Sequence, residues 1–295
     1  MRGGQGGVKA ALDYGPCVTH GRRSRETCMR RFRIGATSFV YPAGWLANVE
    51  RLARAPARPA RIEDVELLFF DPTGPTGLPD AAEFAALRAQ RALGLGYSVH
   101  TPLSASLASE DEARRCDGVS EVLRILEFCR PLEPDAYVIH VYHGDSEGGP
   151  RPSDLSAFRA RATRSLEAIV ASGVPAAQLC VEYLDYDLDL LSPVIEALDL
   201  SVALDVGHLL RDGRNWREIL KRYLPRTKLV QWHGTAPGGR DHKSLAHVPR
   251  ETARALIADL IAADYRGVLT LEVFNPEDFE ESLSIVNGLL AEHGA

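Results

Sequence analysis

Short runs of apolar and β-branched residues recur along the chain, each followed by a polar loop and then a stretch with helical spacing. The runs lie at 33–38 (RIGATS), 65–70 (VELLFF), 97–100 (YSVH), 137–141 (YVIHV), 179–182 (LCVE), 202–206 (VALDV), 228–233 (KLVQWH) and 268–273 (VLTLEV). Continuous apolar runs of this length, bounded by turn residues, read as strands covered on both faces. Helical patterns fill the gaps near 44–54, 80–93, 109–129, 153–172, 187–197, 213–223, 250–263 and 276–292. In the first of these Trp45, Val49 and Leu52 share one face. Ser109, Ser153 and Asn275 are the expected caps, the last followed by Pro276 at the first helical position.

Strand and helix in strict alternation predict an α/β fold with a parallel sheet. Eight units from residue 34 onward average about 33 residues each, near the ~250 residues of a (β/α)8 TIM barrel. An open doubly wound sheet is the rival, and it would want a glycine-rich phosphate loop after the first strand. Thr37-Ser38-Phe39-Val40-Tyr41-Pro42 has no such pattern. The expectation is a single-domain TIM barrel over 32–295, preceded by a basic, disordered extension over 1–31. Met1 and Met29 are the only methionines, and the first predicted strand begins just after Met29. Translation is therefore expected to start at Met29, with 1–28 as an extension.

Composition adds constraints. Hydrophobic residues at 45% and charged residues at 25% describe an ordinary globular chain. No run approaches the roughly 18 apolar residues of a membrane span. The net charge of −6 is unevenly placed: residues 1–33 carry eight Arg and Lys against Asp13 and Glu26, which leaves −12 for the rest. An acidic body is a poor platform for nucleic acid, whose binding depends on neutralising phosphates. Five cysteines (Cys17, Cys28, Cys116, Cys129, Cys180) form no CxxC pair, so they read as small buried hydrophobes in a reducing cytoplasm.

The candidate chemistry sits at one end of the strands. The third predicted strand ends in His100, the fourth in His140 and the fifth in Glu182. The sixth gives Asp205 and His208, the seventh His233, and the eighth Glu272. A lone histidine at a strand end is more often a hydrogen-bonded loop residue than a ligand. Six consecutive strands delivering His, Asp or Glu to the same edge point to a shared site, because barrel active sites ring the C-terminal mouth. Imidazole and carboxylate without sulfur suit Zn²⁺, Mn²⁺ or Fe²⁺, and the density of carboxylates allows two or three ions. Glu66, inside the second strand, is expected to face the mouth behind the ligands or against the substrate. Asp64 reads as a strand-edge charge. His143 would point away from His140, while His20, His247 and His293 read as solvent-exposed. Gly238-Gly239-Arg240-Asp241-His242-Lys243-Ser244-Leu245 reads as a flexible loop over the mouth. There Asp241 or His242 would complete the metal shell, and Arg240 and Lys243 would clamp an anion.

The strand-end series, Asp205-x-x-His208, Trp232-His233-Gly234 and Leu271-Glu272-Val273 resemble the xylose isomerase-like TIM barrels over about residues 32–292. That superfamily includes endonuclease IV-type AP endonucleases (AP endonuclease family 2) and sugar isomerases and epimerases. The endonuclease IV pattern implies ligation by His100, His140, Glu182, Asp205, His208, His233 and Glu272. It also has Asp-x-His after the seventh strand, where this chain has the adjacent pair Asp241-His242. Neighbours in an extended strand face opposite ways, which argues against one ion held by both. Three strings, Gly35–Pro42, Val65–Phe70 and Arg240–Leu245, are similar to the cobamide-remodelling phosphodiesterases of this superfamily.

That resemblance implies a metal-dependent hydrolase acting on the nucleotide-loop phosphodiester of cobamides, with Glu182, Glu272 and His233 as catalytic residues. Its partner is a small molecule, with neither nucleic acid nor membrane. Two other enzyme classes remain open. Sugar isomerisation or epimerisation would use Glu182 and Glu272 as proton-transfer bases beside one ion. An AP endonuclease would need to hold DNA against the acidic body. A non-enzymatic binding module is the weakest alternative, since so dense a ligand set is costly unless it is used.

Overall fold

The computed structural model describes residues 31–54, 61–70, 78–142, 151–184 and 188–294. The expected extension, apart from Arg31, lies outside the described residues, as do His20, Cys17, Cys28, Met29 and His143.

Eight parallel strands close into a barrel. The first seven are β1 (Arg33–Thr37), β2 (Asp64–Leu68), β3 (Gly96–His100), β4 (Ala136–Ile139), β5 (Leu179–Tyr183), β6 (Ser201–Asp205) and β7 (Thr227–Trp232). A hairpin of β8 (Gly234–Ala236) and β9 (Arg240–Lys243) follows, and β10 (Val268–Leu271) is the eighth barrel strand. Each barrel strand hydrogen-bonds to its neighbours in sequence, and β1 closes the ring against β10 with Arg33 beside Val268 and Ala36 beside Leu271. The helices are α1 (Trp45–Ala53), α2 (Ala81–Ala92), α3 (Glu112–Cys129), α4 (Leu155–Val170), α5 (Ser192–Ala197), α6 (Val206–Arg211), α7 (Trp216–Tyr223), α8 (Arg250–Ala262) and α9 (Pro276–Glu292). None of the described helices is long and apolar enough to cross a membrane.

The period of two along each strand explains what faces the lumen. Val65, Leu67, Tyr97, Val99, Val202, Leu204, Val230 and Trp232 join the large core under the helices. Alternate positions (Ala136, Val138, Cys180, Ala203, Leu229 and Val268) form a separate apolar cluster of small and medium side chains. His140, Glu182, Asp205 and His233 have the same parity as this second set. The chain therefore plugs the lower lumen with apolar groups and carries polar groups above them.

Local chemistry fixes where the helices begin. Asn275 Oδ1 accepts from the Asp278 amide at 2.8 Å, with Pro276 following. The caps expected at Ser109 and Ser153 fall instead on Asp111 and Asp154, whose carboxylates accept amides of the first turn. The Ser109 hydroxyl accepts from the Asp111 amide just ahead of the helix. Cys129 and Cys180 are buried, but Cys116 lies on the exposed side of α3, so only part of the buried-hydrophobe reading holds; all three thiols are free. His247 is exposed as expected, whereas His293 is half-buried. Asp64 is no surface charge. It is fully buried at the start of β2, 2.7 Å from Ser98 Oγ and 3.4 Å from Arg33 Nη1.

Residues 234–243 form an ordered hairpin rather than a flexible loop, with β8 antiparallel to β9. Gly238 and Gly239 supply the positive φ values of 85° and 77° that the turn needs.

Candidate metal centre

Barrel closure brings the strand-end residues to one mouth. Four overlapping groups form there: His100–His140–Glu182, Glu182–Asp205–His208, Asp205–His233–Glu272 and His208–His233–His242. Within each group the ligand atoms lie within 4.8 Å of one another. Glu182 and Asp205 each belong to two groups, so the donors form one continuous cluster. His100, His140, Glu182, Asp205, His208, His233 and Glu272 are all buried, and His242 is partly so.

The histidines are oriented for ligation. His100 Nδ1 donates to the Thr101 carbonyl at 2.9 Å, while His233 Nδ1 accepts from the His242 amide at 3.0 Å with the Gly234 carbonyl 3.1 Å away. His242 Nδ1 lies 3.2 Å from the Glu272 carbonyl, and His140 Nδ1 hydrogen-bonds the Tyr142 hydroxyl at 2.6 Å. With Nδ1 engaged in each, Nε2 faces the cluster; a donating Nδ1, as on His100, is how metal-binding imidazoles are held. Nε2 of His140 and of His100 converge on the same Glu182 oxygen at 2.7 and 3.3 Å. A proton or a cation must separate those lone pairs.

Several buried atoms in the cluster have no hydrogen-bond partner: Asp205 Oδ2, both ring nitrogens of His208, His233 Nε2 and Glu272 Oε2. Unpartnered buried polar atoms cost free energy. Their presence side by side, all on metal-ligand types, fits a site for divalent ions.

The charges agree. Burial pushes the Glu182 carboxyl up, yet His140 and His100 overcome it and hold it at about 2. Asp205 behaves alike, with burial outweighed by His208 and His233 and its acidity far stronger than usual. Glu272 goes the other way: burial, reinforced by Asp205, Glu66 and Glu182, drives its carboxyl well above the ordinary range. Burial and the neighbouring His233 push His242 down to about 4.

The Asp205-x-x-His208 spacing has a local cause. β6 ends at Asp205, which caps α6 by accepting the His208 amide at 2.9 Å through Oδ1. That turn of helix sets His208 Nδ1 3.6 Å from Asp205 Oδ2. Gly207 makes the arrangement possible, since a Cβ there would overlap the His233 ring.

Asp241 and His242 are both near His208, contrary to the alternation expected of an extended strand. Ala236 pairs with Arg240 and Gly234 with Lys243, so Asp241 and His242 together oppose Thr235 in a β-bulge. His242 has φ of 52°, the left-handed region, which breaks the alternation. Asp241 Oδ2 lies 3.8 Å from His208 Nε2, and the His242 ring lies 5.5 Å from that of His208. Of the pair, His242 alone belongs to one of the four ligand groups. The Asp241 carboxylate is held by Arg211 at 2.7 Å.

The remaining expected residues lie around this centre. Glu66 is fully buried in the lumen and accepts from Gln231 Nε2 at 3.2 Å. Burial, opposed by His100 and reinforced by Glu182, pushes it up to about 8. Arg240 is exposed on β9, and Lys243 Nζ lies 3.5 Å from Asp278. Three supporting residues escaped the sequence reading. Arg211 lies three positions past His208, Gln231 two before His233 and Tyr142 two after His140. Periodicity placed each beside a ligand, but nothing in the sequence distinguished them from ordinary helix or strand polar residues.

Residues 60–289 match the family described as xylose isomerase-like TIM barrel. No curated protein sequence matches the chain. Among solved structures, a D-tagatose 3-epimerase-like protein is similar at 17% identity and a TM-score of 0.71, over 89% of this chain and 98% of that one. Endonuclease IV from Thermus thermophilus is similar at 19% identity and a TM-score of 0.64, over 89% and 99%. The IOLI protein with a binding zinc atom is similar at 11% identity and a TM-score of 0.64, over 89% and 99%.

Proposed function

The chain belongs to the xylose isomerase-like TIM barrel family, and from that premise we propose that it is a metal-dependent phosphodiesterase that opens the nucleotide loop of cobamides. The observation that carries the reading is the number of histidines. Five of them, His100, His140, His208, His233 and His242, share the mouth with Glu182, Asp205 and Glu272 in groups for more than one ion. A proton-transfer site with one ion between two glutamates has no use for so many.

His100, His140 and Glu182 would hold one ion, Asp205, His233 and Glu272 a second, and His208 with His242 the third. Bound there, divalent ions supply Lewis-acid stabilisation of the charge that builds on a phosphoryl group and generate a nucleophile from water at neutral pH. The protein's own part is orientation. The carbonyls of Thr101 and Glu272 fix two imidazoles, the His242 amide a third and Tyr142 a fourth. Glu182 joins the first group to the second through Asp205. Arg240, exposed on the hairpin, and Lys243, once released from Asp278, would meet a diester's remaining charge. The acidic body weighs against DNA as the substrate.

Sugar isomerisation or epimerisation is the second reading. It is favoured by the two buried carboxylates Glu182 and Glu272 sharing one mouth, placed to serve as proton-transfer bases beside an ion, on a barrel similar to that of a D-tagatose 3-epimerase-like protein. One assay series separates the two. Metal-loaded protein is incubated with coenzyme B12, abasic-site DNA and ketose sugars. Release of cobinamide phosphate and an α-riboside is expected; interconversion of ketoses with an intact cobamide would overturn the proposal.

A further inference from the structure

The mouth is chemically divided. β3 to β7 lead into His100, His140, Glu182, Asp205, His208 and His233, and β9 carries His242; the three contiguous strands β10, β1 and β2 are followed by Phe274, Phe39 and Phe70, with Glu272 between β10 and Phe274 as the one candidate ligand on that side among the described residues. Phe39 and Phe70 are nearly parallel, with centroids 6.1 Å apart and planes 19° apart. Phe274 stands at 84° to Phe70, 6.0 Å away. Phe274 is 36% exposed, one of few large apolar side chains so open among the described residues. The rings adjoin the candidate ligands directly: Phe70 is 5.5 Å from His100 and Phe274 is 4.9 Å from His242.

Apart from Glu272, three polar side chains near these strand ends are engaged with the backbone. Thr37 Oγ1 donates to the Val273 carbonyl at 3.1 Å, Ser38 Oγ accepts from the Leu68 amide at 3.1 Å, and Asn48 Oδ1 accepts from the Tyr41 amide at 2.7 Å. A sugar placed on this side would find ring faces where its hydroxyls need partners, at a desolvation cost. A flat aromatic group finds ring faces and edges at the 4.5–7 Å spacing such pairs prefer.

We propose that Phe39, Phe70 and Phe274 form a stacking subsite for a planar aromatic base carried by the substrate beside its phosphodiester. The inference rests on the phosphodiesterase reading and adds where the base of such a diester sits. The phosphate lies over the ligand cluster, and the base lies over β10, β1 and β2.

Two measurements test it. Metal-loaded protein is given the methyl diester of adenosine 3′-phosphate and the same ribose diester lacking the base. The base-bearing diester has a KM about tenfold lower, the size expected of one stacked base. Phe274→Leu and Phe70→Leu, two separate variants, each erase that difference. Separately, equilibrium dialysis on metal-free protein shows adenosine binding that both variants lose and ribose binding that is weaker. Equal KM values in the wild type, or a difference that survives both substitutions, overturn the stacking subsite and leave the phosphodiesterase reading intact. If neither diester is cleaved, that reading fails and dialysis alone decides: adenosine binding sensitive to Phe274 upholds the subsite, and absent or insensitive binding overturns it.

Discussion

Arg211 Nη1 donates to Asp241 Oδ2 at 2.7 Å, tying the short helix after β6 to the bulged strand of the hairpin. Arg211 is in turn flanked by Asp212, which receives its Nε at 2.7 Å. The carboxylate of Asp241 is thus held beside His208 by a residue that faces no ligand itself. Partners of this kind typically matter about 10–100-fold in metal affinity. Arg211→Met is expected to weaken the most loosely held ion by that factor while leaving the tighter ones in place. Titration with a competing chelator reads this directly, and an unchanged affinity for every ion would rule the role out.

Glu272 tests whether the cluster is built for cations. Burial together with Asp205, Glu66 and Glu182 makes its charged form unfavourable in the bare protein. Glu272→Gln keeps the shape and removes the charge. Metal-free variant should therefore melt no lower than wild type, while the rise in Tm on adding metal shrinks. For wild type at a metal concentration about 100 times Kd, the gain is roughly 2.7 kcal/mol, or about 5–10 °C for a domain of this size. Turnover should fall at least about 10²-fold. An equal metal-induced rise in both proteins would argue against Glu272 as a ligand.

Much of this was readable from the sequence because the barrel repeats one simple rule. All eight barrel strands lie within a residue or two of the apolar runs, since strands buried on both faces have little choice of composition. The meeting of the strand-end side chains followed from topology: once the strands are parallel and closed, their last lumen-facing residues must meet. The hairpin was not readable, because Asp241 and His242 share a neighbour only through a bulge with His242 at φ of 52°. A left-handed histidine has no signature in one sequence. Asp64 was misread for a related reason: its partners Arg33 and Ser98 come from other strands.

Gly207 is where packing and site coincide. A methyl group there would overlap the His233 ring, which is fully buried. Gly207→Ala should displace His233 from Asp205, at a cost of about 1–3 kcal/mol for overpacking. The expected signature is a lower urea midpoint together with fewer ions bound per chain. Wild-type metal content in a folded variant would show that His233 has room to move without leaving the site.

Asp64 gives the fold a pH dependence independent of the mouth. Burial raises its carboxyl to about 6 from the ordinary 3.8, against the pull of Arg33 and Ser98. A raised carboxyl keeps its proton in the folded chain where the unfolded chain has already released it. Its contribution to stability is therefore full below about pH 4 and is lost as pH rises through about 6, a change of roughly 3 kcal/mol. Asp64→Asn keeps the contact to Ser98 and removes the titration. Urea midpoints measured from pH 4 to 7 should fall less steeply in the variant, and the difference between the two proteins should develop between pH 4 and 6. Parallel curves would mean that Arg33, with Asp135 beside it at 2.7 Å, already compensates the buried charge in full.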